Sequence, residues 1–233
     1  KIVANGHLVK GYKPVYWSVV GGSALAEAEV EYQDKTSFSI DVAYALTAED
    51  QLLKASSAFS GLPGEGTVNL LIWTTTPWTI PSSQAISVGA ELEYSLVQCK
   101  SEDGPIRLIC SSVLVESVLS RLNLTEYSIL ASCAGQALEN IITKHPIYDR
   151  EIPVLLGDHV TTDAGTGCVH TAPDHGVEDF VVAAKYGIGT LNYVLDNGVF
   201  KDDVELFAGE YVYKVDQHVI DALDERGRLM ACG

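Results

Sequence analysis

The apolar positions of this chain fall into short runs punctuated by Gly, Pro, Asn and Asp, a rhythm that predicts many strands and few helices. Strands are predicted at 39–43, 68–73, 84–88, 94–99, 106–110, 127–133, 152–156 and 167–171, with 28–32, alternating apolar and acidic, ahead of them. Ser101-Glu102-Asp103-Gly104 supplies a hairpin turn, and short strands at 191–195 and 198–200 flank Asp196-Asn197-Gly198. Helical spacing marks 48–59, closed by the loop 60–66, and 113–122, where Val115, Val118, Leu119 and Leu122 form a stripe. It recurs over about 175–186, and over 214–226, which ends at Gly227. With no βαβ rhythm, the class is α+β: a β-barrel-like domain with peripheral helices.

Two stretches carry candidate chemistry. Trp73-Thr74-Thr75-Thr76-Pro77-Trp78 follows the apolar run 68–72, and Pro77 ends the strand. Three hydroxyls are thereby presented at a strand end between two indoles, an arrangement that suits a small polar ligand as well as an ordinary β-rich strand end.

The second stretch runs from Gly165 to Asp179. Gly165 and Gly167 flank Thr166 and permit a bend or a close backbone approach. Cys168-Val169-His170 reads as a short strand ended by Pro173. Asp174 is expected to cap the helix that follows, and Asp179 sits in or near its first turn, where a carboxylate gains from unpaired N–H groups.

Taken together, the two stretches resemble the editing domain of isoleucyl-tRNA synthetase, an insertion in that enzyme's catalytic fold. The matching residues are Trp73 to Pro81 and Gly165 to Phe180, with Lys13-Pro14-Val15-Tyr16-Trp17, 24–32 and 34–40 in support. The resemblance covers essentially the whole chain. The related valyl and leucyl enzymes carry an Arg after their threonines; Thr76 stands there in this chain, which points to the isoleucyl branch. The family's Cys-x-x-Cys zinc knuckle is replaced by Ser18-Val19-Val20-Gly21. The expected organisation is a leading segment over 1–45 without the knuckle, an editing β-barrel core over 46–212, and a C-terminal helix over 213–233 leading back to the parent catalytic domain.

The resemblance implies a reaction. A synthetic pocket shaped for isoleucine rejects valine poorly, because one methylene is worth only about 1–3 kcal/mol, a figure established on enzymes of this family. A second site that admits valine and excludes isoleucine by size then hydrolyses the ester of Val-tRNA(Ile), with valyl-adenylate as a further substrate class. Asp179 is expected to hold the substrate's α-ammonium, and His170 to form a wall beside the amino-acid side chain rather than act as general base. Thr75 and Thr76 would position water or carbonyl. Trp73, Thr74 and Trp78 would shape the pocket, with Gly165 and Gly167 beside it. Ser83, where the family has Asn, is a further binding candidate. No metal ligand is expected, and ATP and magnesium belong to the parent's catalytic domain. The partner is the 3′ aminoacyl-adenosine end of tRNA(Ile); the alternative is a non-catalytic module that only binds that end or serves as a structural insertion.

Composition constrains the partner more than the fold. Hydrophobic residues make up 47% and charged ones 20%, a globular balance. The net charge of −16 is wrong for a protein that grips nucleic acid through many phosphates. An excised domain that meets only the tRNA terminus is compatible with it, and Lys1 and Gly233 are expected to be internal cuts. Five cysteines, odd in number and irregularly spaced, predict neither disulfides nor a metal site, so a reducing cytoplasm is expected. No apolar run reaches membrane-spanning length, and a monomer is expected.

Overall fold

The computed structural model describes residues 1–8, 11–61, 64–102 and 104–233. The strands are β1 Trp17–Ser18, β2 Ser23–Ala24, β3 Ile40–Ala45, β4 Val68–Thr74, β5 Ala85–Val88 and β6 Glu93–Ser101. They continue with β7 Gly104–Ser111, β8 Tyr127–Ala134, β9 Ile142–Lys144, β10 Glu151–Leu156, β11 Cys168–Thr171 and β12 Leu229–Cys232. The helices are α1 Asp50–Ala55, α2 Val115–Arg121, α3 Val177–Lys185 and α4 Asp216–Asp224. The class is α+β, in two mixed sheets that remain open rather than closing into a barrel, besides the small β1–β2 ribbon.

The larger sheet has the order β12-β3-β4-β7-β6-β8, and the smaller β11-β5-β10-β9. Both contain one parallel pair, β4 with β7 and β5 with β10, among antiparallel neighbours. β4 is buried on both faces, which is why its sequence runs apolar instead of alternating. Its neighbour β3 is also fully buried, so the boundary expected at 45/46 falls at the end of a strand flanked by β12 and β4 in this sheet. The main core lies between the sheets, with Ile40, Tyr44, Ile72, Ile86, Tyr94, Phe200 and Phe207 fully buried in it. α2 closes the opposite face over Leu71, Val97 and Leu108.

Several expectations are corrected. Residues 28–32 form no strand: the Glu29 carboxylate accepts the Ala26 N–H at 2.8 Å, closing a 3-10 turn at Glu27–Glu29, and no neighbouring strand pairs the segment. The helix predicted over 48–59 stops at Ala55, because Ser56 turns to extended backbone and its Oγ accepts the Ala58 N–H at 3.2 Å. The strands at 191–195 and 198–200 reduce to the bridges Val194–Phe200 and Val199–Tyr211, although the turn at Asn197 forms. Of the expected turn at 101–104, Asp103 lies outside the described residues, as do residues 62 and 63 of the loop 60–66. β9 and β12 were not legible in the sequence: β9, three residues long, pairs with the nearby β10, and β12, four residues long, holds through β3, far along the chain. No helix among the described residues is long and apolar enough to cross a membrane.

Candidate active site

The threonine segment leaves β4 as a network of hydroxyls. Thr76 N–H donates to Thr74 Oγ1 at 3.1 Å, and the two side-chain oxygens are also 3.1 Å apart. Thr76 Oγ1 stands 3.4 Å from Thr79 Oγ1, and Thr79 Oγ1 lies 3.2 Å from His170 Nε2. The Thr79 hydroxyl also donates to the Thr76 carbonyl at 2.9 Å. A hydroxyl has one proton to give, so its oxygen accepts from His170 Nε2–H, which assigns the tautomer through the network. His170 Nδ1 is then a bare acceptor, buried and without a hydrogen-bond partner among the described residues.

The turn bearing these hydroxyls is clamped from behind. Pro77–Ser82 winds as a 3-10 helix whose carbonyls are met by buried His145 and half-buried Arg150. Arg150 donates to Pro81 O at 2.6 Å and to Ser83 O at 2.8 Å, and His145 Nε2 meets Ile80 O at 3.0 Å. On the outer side Trp78 N–H donates to Asp216 at the start of α4, at 3.1 Å. Thr75 and Thr76 remain exposed.

Opposite this turn, β11 packs against β4 and carries His170. His170 is only 6% exposed, and burial together with the charge of His175 lowers its pKa to about 4. At neutral pH it is an uncharged ring, unsuited to taking up a proton. The Cys168 thiol is pushed well up by burial and is a core group.

Gly165 and Gly167 both have left-handed backbone, with φ +79° and +75°. A Cβ on Gly167 would stand 2.5 Å from Ser111 Cβ, so the glycine lets this loop pass against the end of β7. Arg121, at the end of α2, holds the same loop: it forms a bidentate pair with buried Asp41 at 2.7 and 2.6 Å, and its guanidinium stands 3.4 Å from Gly165 O.

Asp179 lies in the first turn of α3. Its carboxylate folds back to accept the Ala172 N–H at 2.9 Å, which joins the end of β11 to the helix. Burial raises its pKa, while that amide and the charge of His159 oppose the rise. The helix cap is Gly176, not Asp174 as predicted; Asp174 instead accepts the Leu191 N–H. Without a Cβ, Gly176 makes room for the Asp179 carboxylate, whose Cγ would lie 2.9 Å away from one.

These pieces surround a cavity of about 340 Å³ lined by Trp73, Thr74, Thr75, Gly165 and Gly167 among others. Five of the ten predicted site residues meet there. His170 joins them through Thr79 and Thr76, whereas Asp179 does not line this cavity. Trp78 does not: it faces a neighbouring cavity of about 300 Å³ with His175 and Asp174, its ring edge-on to His175 at 4.8 Å between centroids. Ser83 is 0% exposed and accepts the Tyr44 hydroxyl at 3.2 Å, so it supports the threonine turn from within the core and presents nothing to a ligand. Thr79, Arg150 and His159 were missed. The first lies inside the recognised motif, but its bond to His170 spans 91 residues and no local pattern reveals it. Among the described residues, no group of three or more His, Cys, Asp or Glu is placed to hold a metal ion.

The family model and the fold neighbours make this chain an editing domain of a class I aminoacyl-tRNA synthetase. The chain belongs to the family described as leucyl-tRNA synthetase, editing domain, whose model matches residues 62–215. It is 60% identical over all 233 residues to an isoleucine–tRNA ligase of Hahella chejuensis, 24% of whose length it covers. A second such ligase, from Teredinibacter turnerae, is 60% identical over 230 residues, covering 99% of this chain and 24% of that one. The chain therefore spans about a quarter of the length of the curated relatives it matches. In fold it is similar to GlLeuRS-CP1, with TM-score 0.66 and 17% identity over 84% of this chain and 98% of that one. The P. knowlesi cytosolic leucyl-tRNA synthetase editing domain follows at TM-score 0.61 and 11% identity, over 84% of this chain and 97% of that one.

Proposed function

We propose that this chain is the hydrolytic module of an isoleucine–tRNA ligase, cleaving valine from Val-tRNA(Ile) and sparing Ile-tRNA(Ile) by size. The observation that carries this reading is the line of hydroxyls from Thr74 to His170 beside a cavity lined by Thr74 and Thr75, with Asp179 tied to the end of β11 through the Ala172 N–H. The substrate ester has a free α-ammonium, a carbonyl to polarise and a water to admit. Asp179 supplies the charge-assisted contact for the ammonium. The exposed hydroxyls of Thr75 and Thr76 donate to the carbonyl or hold the water in line with it. His170, uncharged, bounds the space for the amino-acid side chain. Trp73, Thr74, Gly165 and Gly167 form the remaining wall, and Trp78 reaches the substrate only from the neighbouring cavity.

The partner on this reading is the aminoacyl-adenosine end of tRNA(Ile), met by a cytoplasmic monomer. ATP and magnesium are assigned to the ligase's synthetic reaction, not to this hydrolysis. Deacylation of pre-charged Val-tRNA(Ile) and Ile-tRNA(Ile) by this chain at high concentration is the test. Selective loss of valine supports the enzyme. Protection of the ester from spontaneous hydrolysis identifies the rival module that only binds the tRNA end.

A further inference from the structure

The turn 145–150 between β9 and β10 is closed by its own backbone and turns two side-chain heads outward. His145 N–H donates to Arg150 O and Arg150 N–H to Tyr148 O, both at 2.9 Å. His145 Nδ1 accepts the N–H groups of Ile147 and Tyr148 at 3.1 and 3.0 Å, so the ring proton sits on Nε2 and donates to Ile80 O. The Tyr148 ring stacks on His145 at 5.0 Å between centroids and lies 5.4 Å from the guanidinium carbon of Arg150, so one ring supports both heads. Three carbonyls of a single segment, Ile80, Pro81 and Ser83, are thereby held by two side chains of one turn.

Arg150 is half-buried, and its Nε is buried with no hydrogen-bond partner among the described residues. No carboxylate among those residues forms an ion pair with it. Buried charges are ordinarily paired, and unsatisfied buried groups persist where another requirement keeps them. The requirement met here is geometric. Nη2 donates to Pro81 O at 2.6 Å and to Ser83 O at 2.8 Å, while Nη1 reaches the Tyr193 hydroxyl at 3.3 Å. The end of the 3-10 helix is fixed in rotation as well as in place, by a cation that suits the partial negative charge of its last carbonyls.

Building on the functional reading above, we propose that Arg150 is the positioning residue of the threonine turn, setting the rotation of Pro77–Ser82 and with it where the Thr75 and Thr76 hydroxyls stand. The connection is continuous. Ser83 N–H donates to Ile80 O at 2.9 Å and Thr79 N–H to Thr76 O at 3.1 Å, so the helix moves as one short coil. Its first half is anchored at Trp78 by Asp216 and at Thr79 by His170. Its second half is anchored by His145 and Arg150. Freed at that end, the coil can turn about Trp78 and Thr79, and Thr76 Oγ1, 3.4 Å from Thr79 Oγ1, shifts with it.

The test reads the turn directly, by proton–carbon NMR of the threonine methyl groups, with the signals assigned by their disappearance in Thr76→Ser, Thr79→Ser and Thr125→Ser. Arg150→Met keeps the aliphatic reach and removes the donors. The Thr76 and Thr79 signals are expected to move, and that of Thr125, between α2 and β8, to stay. In folded Arg150→Met, kcat for Val-tRNA(Ile) should fall about a hundredfold, the effect of about 1 Å of misplacement. KM should stay within about twofold, since no group that grips the substrate is removed. Arg150→Lys keeps a charged nitrogen able to donate to both carbonyls, and should return the signals and most of the lost kcat. A role in stability alone would lower the urea midpoint of Arg150→Met and leave the two signals and kcat unchanged, which overturns the proposal. If Arg150→Met fails to fold by circular dichroism, Arg150→Gln takes its place with the same readouts, and unmoved signals overturn the proposal equally. If the signals move while the unaltered chain does not hydrolyse Val-tRNA(Ile), the positioning stands and the functional reading falls.

Discussion

Thr79 Oγ1 and His170 Nε2, 91 residues apart in sequence, are joined at 3.2 Å, and this contact links the threonine turn to β11. Thr79→Val keeps the shape and removes the hydroxyl. It strips His170 Nε2–H of its acceptor inside the core and frees the ring to turn, at a cost of about 1–3 kcal/mol. Deacylation of Val-tRNA(Ile) by Thr79→Val should fall at least about tenfold, which is about 1.4 kcal/mol of transition-state stabilisation. Chemical denaturation of the same variant should show a stability loss in the range given above. Wild-type turnover in a folded Thr79→Val would show that the ring's orientation does not matter.

On the proposed reading Asp179 has two duties that different substitutions separate. Asp179→Ala removes the ammonium partner and also orphans the Ala172 N–H, so activity should vanish and stability drop by about 1 kcal/mol. Asp179→Asn retains an oxygen that can accept that N–H while losing the charge. It should unfold at nearly the native denaturant concentration and still hydrolyse Val-tRNA(Ile) at least about a hundredfold more slowly, since charge-assisted hydrogen bonds are about twice as strong as neutral ones and the ammonium would be left unpaired. Parallel unfolding and single-turnover measurements decide it. Substantial activity in Asp179→Asn would remove Asp179 from ammonium binding.

The two glycines of the loop should respond unequally to alanine. At Gly167 the left-handed backbone costs an L-residue about 1–2 kcal/mol, and the new methyl meets Ser111 Cβ at 2.5 Å. At Gly165 the backbone is similar, but the nearest atom is Trp73 Cε3 at 3.3 Å, on the rim of the cavity. Gly167→Ala should therefore lose about 3 kcal/mol, strain plus overpacking. Gly165→Ala should lose about 1 kcal/mol and act mainly by narrowing the cavity, which KM would report. Equal losses in urea denaturation would contradict this.

What could be read in the sequence follows from the range of the interactions involved. β4 and β11 were visible because burial and a terminating proline are local signals, and the chemistry-bearing residues sit at their ends. Asp179 and His170 belong to a local motif; the structure brings His170 to the threonine turn through Thr79 and ties Asp179 to the Ala172 N–H at the end of β11. Trp78 lies in the same motif, yet winding of Pro77–Ser82 into a 3-10 helix turns it to the neighbouring cavity. Ser83, two residues past the motif, was misplaced because nothing local reveals the Tyr44 hydroxyl that meets it across the core. The Asp41–Arg121 pair and the Arg150 clamp join elements 80 and 67 or more residues apart, and neither end carries a local signature.

Acid should destabilise this domain at mild pH. His170 and His175 are each lowered to about 4 by burial, from an ordinary value of 6.5. Between those limits the unfolded chain binds protons that the folded chain refuses, so stability is complete above about 6.5 and falls as pH drops toward 4. Asp174, Asp179 and Asp216, raised by burial, act in the opposite sense just above 3.8 and blunt the loss at its acid end. Urea midpoints at several pH values from 7 to 4.5 should decline steadily. His145 is lowered well below 6.5 by burial as well, so His175→Gln should flatten the decline only in part, because one of three titrating rings is gone. A flat profile in the unaltered chain would mean that these rings are not buried in solution.

The charge of the chain sets how it should meet tRNA. With a net charge of −16, few phosphates can be neutralised, so affinity for uncharged tRNA should be weak and its salt dependence shallow. Arg107, Arg121 and Arg150 are unavailable for phosphates, since each is engaged with a carboxylate or with backbone carbonyls inside the fold. On the proposed reading the main contacts are those to the terminal aminoacyl-adenosine, and a short non-hydrolysable analogue of that end presents the same atoms. The analogue should therefore bind this chain within about tenfold of whole charged tRNA, a difference of about 1.4 kcal/mol. Raising salt from about 50 to 200 mM should weaken tRNA binding far less than the 10³–10⁵ loss expected of a protein that neutralises six to ten phosphates. Titrations of both ligands at the two salt concentrations measure this directly. Much tighter binding of whole tRNA with a steep salt loss would require a basic track on the surface, and the proposed grip on the terminus alone would then be wrong.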